Sequence, residues 1–235
     1  MGQGRALTQH FHGTPITPRS ELLSLSGRSF CISYEAAREA ETAVIFEIAQ
    51  SVMLDNGAFS VWKRGAVPDW DGYYEFCGRW LGHSSWAVMP DVIEGDEYFN
   101  DRLIAQWPFG EKGAPVWHMH ERIARLERLC DLWPRVCIGS SADYAILRTP
   151  RWYRRMDEAM DVICDEDGTP PVALHMLRGM ALVEDRFPFA SVDSTDVAQN
   201  HNRNQNTARS LAERWDGKQC PARWRRVGQQ LELAA

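Results

Sequence analysis

What this chain lacks narrows its chemistry first. Its six cysteines (Cys31, Cys77, Cys130, Cys137, Cys164 and Cys220) are scattered and form no CxxC pair. That spacing argues against a zinc ribbon or a disulfide framework and reads as reduced thiols in a cytoplasmic protein. Met1-Gly-Gln-Gly-Arg5 leads into polar residues without the apolar core of a signal peptide, and no run is long enough to span a membrane. There is no surplus of positive charge, since 26 Lys and Arg stand against 32 Asp and Glu, a net −6. Any contact with nucleic acid must therefore come from a local basic patch or from pocket chemistry. No internal repeat or low-complexity linker divides the 235 residues, so residues 1–235 read as one domain.

What is present is ordinary globular composition, 44% hydrophobic and 25% charged, with ten tryptophans that can fill cores or stack on bases. Short apolar runs alternate with helical periods. Strands are expected at Gln9–Ile16, Arg28–Tyr34, Val52–Asp55, Trp86–Asp91, Ala114–His120, Arg135–Gly139, Pro171–Met176 and Phe189–Asp193. Helices are expected from Ser20, over Glu35–Gln50, Asp69–Leu81, Asp96–Gln106, Glu121–Leu132, Trp152–Cys164 and Thr207–Trp215. Val61–Pro68 and Asn200–Asn206 read as loops, and Arg223-Trp-Arg-Arg226 as a basic helical tail. About eight strand–helix units predict the α/β class and a single (β/α)8 TIM-type barrel, whose active-site face is the C-terminal end of its strands.

Polar and acidic residues gather where those strands finish. Val52-Met-Leu-Asp55 ends on an acid ahead of the Asn56-Gly57 turn and Phe59, and Phe189-Ala-Ser-Val-Asp193 ends on another. Each acid could cap a following helix. As a pair on well-separated strands they suit displacement at an anomeric carbon, one steering attack and the other moving protons. Asp91, His118, His120, Gly139, Ser140, Ser141 and His175 also lie at strand ends. His118 and His120 are two apart on a strand and so share a face, plausible either as metal ligands with Asp91, His175 and Asp193 or as substrate contacts. No further ligand motif accompanies them, and no metal or other cofactor is expected. Gly139-Ser140-Ser141 could present backbone N–H groups, and Arg178 could clamp a phosphate or carbonyl. Basic residues interleave with aromatics at Trp62-Lys63-Arg64 and over Arg148–Arg155, which includes Arg151, Arg154 and Arg155; the Asn-rich loop adds Asn202 and Arg203. Such stretches grip nucleic-acid backbones, or are solvated faces.

These motifs resemble those of the tRNA-guanine transglycosylase superfamily. Asp55-Asn-Gly-Ala-Phe59 is similar to that family's Asp-Ser-Gly-Gly-Phe turn, and Phe189–Asp193 to its strand ending in the nucleophilic aspartate. Asp91 falls where the family places a base-recognising acid, and Ile138-Gly-Ser-Ser141 resembles its Gly-Gly turn. The likeness runs in order from about Ser51 to Asn200. It implies an α/β barrel that breaks a nucleoside N-glycosidic bond. The family's zinc element is absent here, since only Cys220 lies beyond Cys164, and its Gln-Gly-Gly pattern is replaced around Trp117-His-Met-His120. The compact form is closer to the phage and bacterial DNA-acting branch of the superfamily.

That resemblance implies a DNA glycosylase in antiphage defence that removes a modified nucleobase, such as glucosylated hydroxymethylcytosine, after flipping it from the stack. Asp193 is then the nucleophile or oxocarbenium stabiliser and Asp55 the general acid/base. Asn56, Phe59, Asp91, Trp117, His118, His120, Gly139, Ser140, Ser141, His175 and Arg178 shape the base pocket. The rivals are a base-exchange transglycosylase inserting a 7-deazaguanine, a metal-dependent barrel hydrolase, and a non-catalytic nucleic-acid-binding barrel.

Overall fold

The computed structural model describes residues 7–82 and 84–226. The Met1–Arg5 stretch read above for a leader lies outside them. The strands are β1 (Gln9–Gly13), β2 (Ser29–Ser33), β3 (Ser51–Asp55), β4 (Ser85–Val88), β5 (Gly113–Ala114), β6 (Val116–His118), β7 (Arg135–Gly139), β8 (Ala173–Met176) and β9 (Ser191–Ser194). The helices are α1 (Arg19–Leu23), α2 (Glu39–Ile48), α3 (Ala58–Arg64), α4 (Trp70–Trp80), α5 (Glu97–Ala105), α6 (Ile123–Leu132), α7 (Pro150–Ile163), α8 (Asp196–Asn200) and α9 (Ala208–Asp216).

All strand pairs are parallel, in the order β5-β4-β3-β2-β1-β9-β8-β7-β6. Pro115 alone separates β5 from β6. Proline has no N–H to give the ladder, so the strand is interrupted there, yet its carbonyl accepts from the Cys137 N–H at 2.9 Å. β5 pairs with β4 and β6 with β7, so the run 113–118 occupies one wall position. Nine segments thus make a nearly closed barrel with helices between its strands, as the alternating pattern predicts.

The period-2 alternation of each strand divides the core in two. One set of residues fills the lumen: Phe11, Cys31, Met53, Trp86, Val88, Ala114, Val116 and Cys137. The other set, including Phe30, Ile32, Leu54, Trp117, Ile138 and Met176, faces the helices. α7 shows why the helices dock. Thr149 caps its start by accepting from the Trp152 N–H at 3.2 Å, with Pro150 in the first turn where a missing N–H is harmless. Trp152, Met156, Ala159, Met160 and Ile163 then form one buried stripe. Each large side chain in such a stripe stabilises the fold by about 1.5–3 kcal/mol.

Two expectations are corrected. Val61–Arg64 belongs to helix α3 and not to a loop, because Gly57 (φ 74°) turns the chain into a helical start, Val61 is buried, and Gly65 (φ 63°) ends the helix. The segment 217–226 is not helical. Pro221 follows close behind Gly217, and the Trp224 N–H donates to the Gly168 carbonyl at 2.8 Å, which draws this segment onto the barrel as an irregular strap. Among the described residues, no helix is long and apolar enough to cross a membrane.

Candidate active site

Polar residues at the C-terminal ends of the strands surround a cavity of about 170 Å³, far more than the ~15 Å³ that one water needs. Every wall position around the ring contributes: Gly13, Ser33, Asp55, Asp91, His118, Gly139, Arg178 and Asp193. The acids that line it are not helix caps. Capping falls to other aspartates, Asp69 accepting from the Gly72 N–H at 3.0 Å and Asp96 from the Phe99 N–H at 2.7 Å.

Asp55 ends β3 directly beside Ser33 in the β2 register. Its Oδ2 accepts from the Gly57 N–H at 3.1 Å, and Ser33 bonds its side chain. A side chain at position 57 would need the left-handed backbone and would place its Cβ 2.4 Å from Glu35 Cγ, so glycine here serves the turn and the packing. Burial first, and the negative charge of Asp193 second, push the Asp55 carboxyl up from 3.8 to about 6. Ser33 and Gly57 pull against that shift without cancelling it.

Asp193 is the penultimate residue of β9 and is 8% exposed. Its Oδ1 accepts from the Arg178 backbone N–H at 2.6 Å and lies 3.3 Å from His175 Nε2. Arg178 achieves this in the left-handed region (φ 54°), a strained conformation for a non-glycine residue of the kind found at ligand sites. Its guanidinium lies 3.9 Å from the Phe59 ring centroid, over a ring that is 38% exposed, and 3.3 Å from the Ser140 carbonyl. Burial lowers the Arg178 pKa while Asp193 and Asp55 push it back. Among the described residues it is the one Lys or Arg side chain in the lining, which also holds three aspartates.

Opposite, Asp91 joins the two remaining polar anchors. Its Oδ1 accepts from Asn56 Nδ2 at 2.7 Å, and its Oδ2 lies 2.8 Å from His118 Nε2. Asn56 is held in turn by the Met89 carbonyl (2.6 Å) and the Ala58 N–H (2.8 Å), so its orientation is determined. The His118 ring packs beside Gly139, where a Cβ would come within 3.0 Å of His118 Nδ1.

The remaining expected residues divide. Phe59, Gly139 and Ser140 line the cavity, but the Ser140 hydroxyl turns outward, accepting from Trp152 Nε1 at 2.9 Å and meeting Met119 Sδ at 3.6 Å. His120 is not lumenal. β6 ends at His118, the chain turns, and His120 is exposed, with Nδ1 2.7 Å from Ser141 Oγ and its ring stacked 5.7 Å from that of His118. Trp117 has the opposite parity to His118, so it is fully buried against the helices, its Nε1 donating to the Arg122 carbonyl. His175 is fully buried beneath Asp193, between Phe11 and Trp86, and is not a lining residue.

The basic residues lie apart from the cavity lining. Arg155 holds the Met119 and Glu121 carbonyls, a structural clamp. Arg64 pairs with Glu35, and Arg151 with Asp143. Lys63, Arg154, Asn202 and Arg203 are exposed. Thr14, Cys31, Ser33, Ser60, Leu177 and Thr195 line the cavity without having been singled out from the sequence. For Cys31 and Ser33 the available signal was the alternation Ser29-x-Cys31-x-Ser33, which brings both to the lumen. Among the described residues, no three His, Cys, Asp or Glu side chains converge as a metal would require. No protein-family model, no curated protein and no solved structure matches this chain.

Proposed function

We propose that this protein is a DNA N-glycosylase that accepts a flipped-out, modified nucleobase in the barrel mouth and cleaves its bond to the sugar. One observation carries the reading. Two carboxylates face a single cavity in opposed environments: Asp55 is pushed up to about 6 and can hold a proton, while Asp193 accepts hydrogen bonds through Oδ1. A carboxyl that can hold a proton, facing a second carboxyl held by N–H donors, is the pairing of acid and nucleophile that glycoside cleavage uses.

In this mechanism Asp55 gives its proton to the departing base as the C1′–N bond breaks. Asp193 supports the positive charge that develops on the sugar, or attacks it. Water then adds to C1′ and returns a proton to Asp55, leaving free base and an abasic site. The Asn56–Asp91–His118 cluster offers carboxylate and imidazole edges to the base. Phe59, stacked by Arg178, offers a ring face to it. Phe59 and Trp62 are exposed on α3, which ends in Lys63 and Arg64, so aromatic and cationic groups meet at one helix beside the mouth. The setting we propose is cytoplasmic defence against phage with modified DNA. Base exchange shares the first half of this mechanism and differs in whether a free deazapurine, instead of water, meets C1′.

The test is incubation with unmodified and phage-modified DNA, scoring released base and abasic sites. The glycosylase predicts release from a modified DNA, lost on the order of 10⁴-fold in Asp193→Asn with the fold retained. Uptake of labelled deazapurine with no abasic sites assigns base exchange instead. Biological protection that survives Asp193→Asn contradicts catalysis altogether.

A further inference from the structure

His175 is a buried imidazole that the proposed chemistry does not touch, yet both of its ring nitrogens are engaged. Nδ1 lies 2.8 Å from Ser191 Oγ, and Nε2 lies 3.3 Å from Asp193 Oδ1. Ser191 and Asp193 are alternate residues of β9 and so point to the same side, with His175 facing them from β8 at the Ser191 register. The Phe11 and Trp86 rings wedge the imidazole edge-on, at 5.9 and 5.1 Å between centroids. It therefore has no space in which to rotate.

A carboxylate can only accept, so the nitrogen facing Asp193 carries the proton, and Nδ1 accepts from the Ser191 hydroxyl. Burial lowers the proton affinity of His175 and outweighs the opposing hydrogen bond and charge of Asp193, with Arg135 adding to the lowering, which keeps the ring neutral near pH 7. Two N–H donors, from His175 and from the Arg178 backbone, thus converge on Oδ1. No hydrogen bond from the described residues reaches Oδ2, which is left to the cavity. The other ionisable groups around this carboxylate are Asp55 from β3, Arg178, and the thiols Cys31 from β2 and Cys137 from β7. Burial raises both thiols, leaving them protonated.

We propose that Ser191 and His175 form a two-link positioning relay for Asp193, fixing the carboxylate by Oδ1 so that Oδ2 is the oxygen presented to the substrate. The proposal rests on the reading of Asp193 as the acid that meets the sugar, but the relay itself is observable without substrate. Long-range ¹⁵N NMR of the labelled wild-type protein should show His175 as the neutral Nε2–H tautomer at about pH 7 to 8. Asp193→Ala removes the acceptor, and the population should shift to Nδ1–H, now donating to Ser191. Ser191→Ala should yield a mixture. An Nδ1–H form in the wild type, or a tautomer indifferent to both substitutions, overturns the relay.

Activity supplies the second readout. His175→Gln places an amide N–H near the Nε2 position and should keep kcat within about threefold. His175→Met should lower kcat about tenfold or more with KM unchanged. Equal losses in the two variants would mean that His175 only packs, and would overturn the proposal. Should no DNA be cleaved while the tautomer responds as stated, the relay stands and the glycosylase reading fails.

Discussion

Asp55 is the residue where geometry and titration bear most directly on each other. Its folded-state pKa, about 6, lies above the ordinary 3.8. The proton is therefore held more tightly in the folded protein. The stabilisation is complete below about pH 4 and is lost as pH rises through about 6. Asp55→Asn carries a neutral amide at every pH. The variant should therefore be more stable than wild type at pH 7 to 8 by about 1–3 kcal/mol, with little difference at pH 4; denaturant titrations at the two pH values check this. Catalysis should depend on the same proton. If Asp55 donates its proton, kcat/KM falls about tenfold per pH unit above about 6 in the wild type, measured as base release across pH. Gly139 makes a companion case. The Gly139→Ala Cβ would meet His118 Nδ1 at 3.0 Å and Val116 Cγ1 at 3.3 Å, so His118 must shift from Asp91. The expected result is base release reduced several-fold, with a thermal midpoint lowered by a few degrees.

At the scale of elements, the acids at the ends of β3 and β9 were legible because a short apolar run closing on a carboxylate is a strong local pattern. Trp117 and His120 were not. The face of Trp117 depends on which parity of β6 meets the lumen, since a one-residue slip exchanges lumen for helix layer, and that of His120 on where β6 ends, since the turn after His118 takes it out to solvent. The Ser140 hydroxyl was illegible for another reason: its partner, Trp152 Nε1, comes from a helix after the next turn, a contact that local pattern does not encode. α3 was hidden because seven residues with two basic ones and an exposed Trp lack a clear period, while the glycines that bound it act through left-handed backbone. Where a helix has a full stripe, as α7 does, its packing follows from the periodicity. Met156→Ala in that stripe should destabilise the protein by about 2–5 kcal/mol, read from denaturant unfolding.

At the scale of the molecule, the barrel was legible as a rhythm of eight units, and its closure at Pro115 was not, because the strand that closes it is divided in two. The outer face of β1 sets an acid limit. His10 and His12 point outward from β1 under α9, near Asp216, which also pairs with Arg28. His12 Nε2 lies 3.0 Å from Asp216, but that acid is already engaged by Arg28 and burial prevails. Both histidines are lowered from 6.5 to about 4, His10 by burial and then by His12, and His12 by burial and then by Arg28. Depressed values favour the neutral folded form, so their contribution is present above about pH 6.5 and is lost as pH falls toward 4. Replacing both by Gln should flatten the acid limb of a stability–pH curve by a few kcal/mol, the opposite sign to the Asp55 effect.

In the proposed mechanism, Asp55 and Asp193 flank an anomeric carbon in this cavity. The most direct test is a crystal structure with DNA carrying a cationic pyrrolidine in place of one sugar, an analogue of the oxocarbenium-like state. The ring nitrogen should lie within about 3 Å of Asp193 Oδ2, with Asp55 on the side of the leaving base. A pyrrolidine bound outside the barrel mouth, or one facing neither carboxylate, would contradict it.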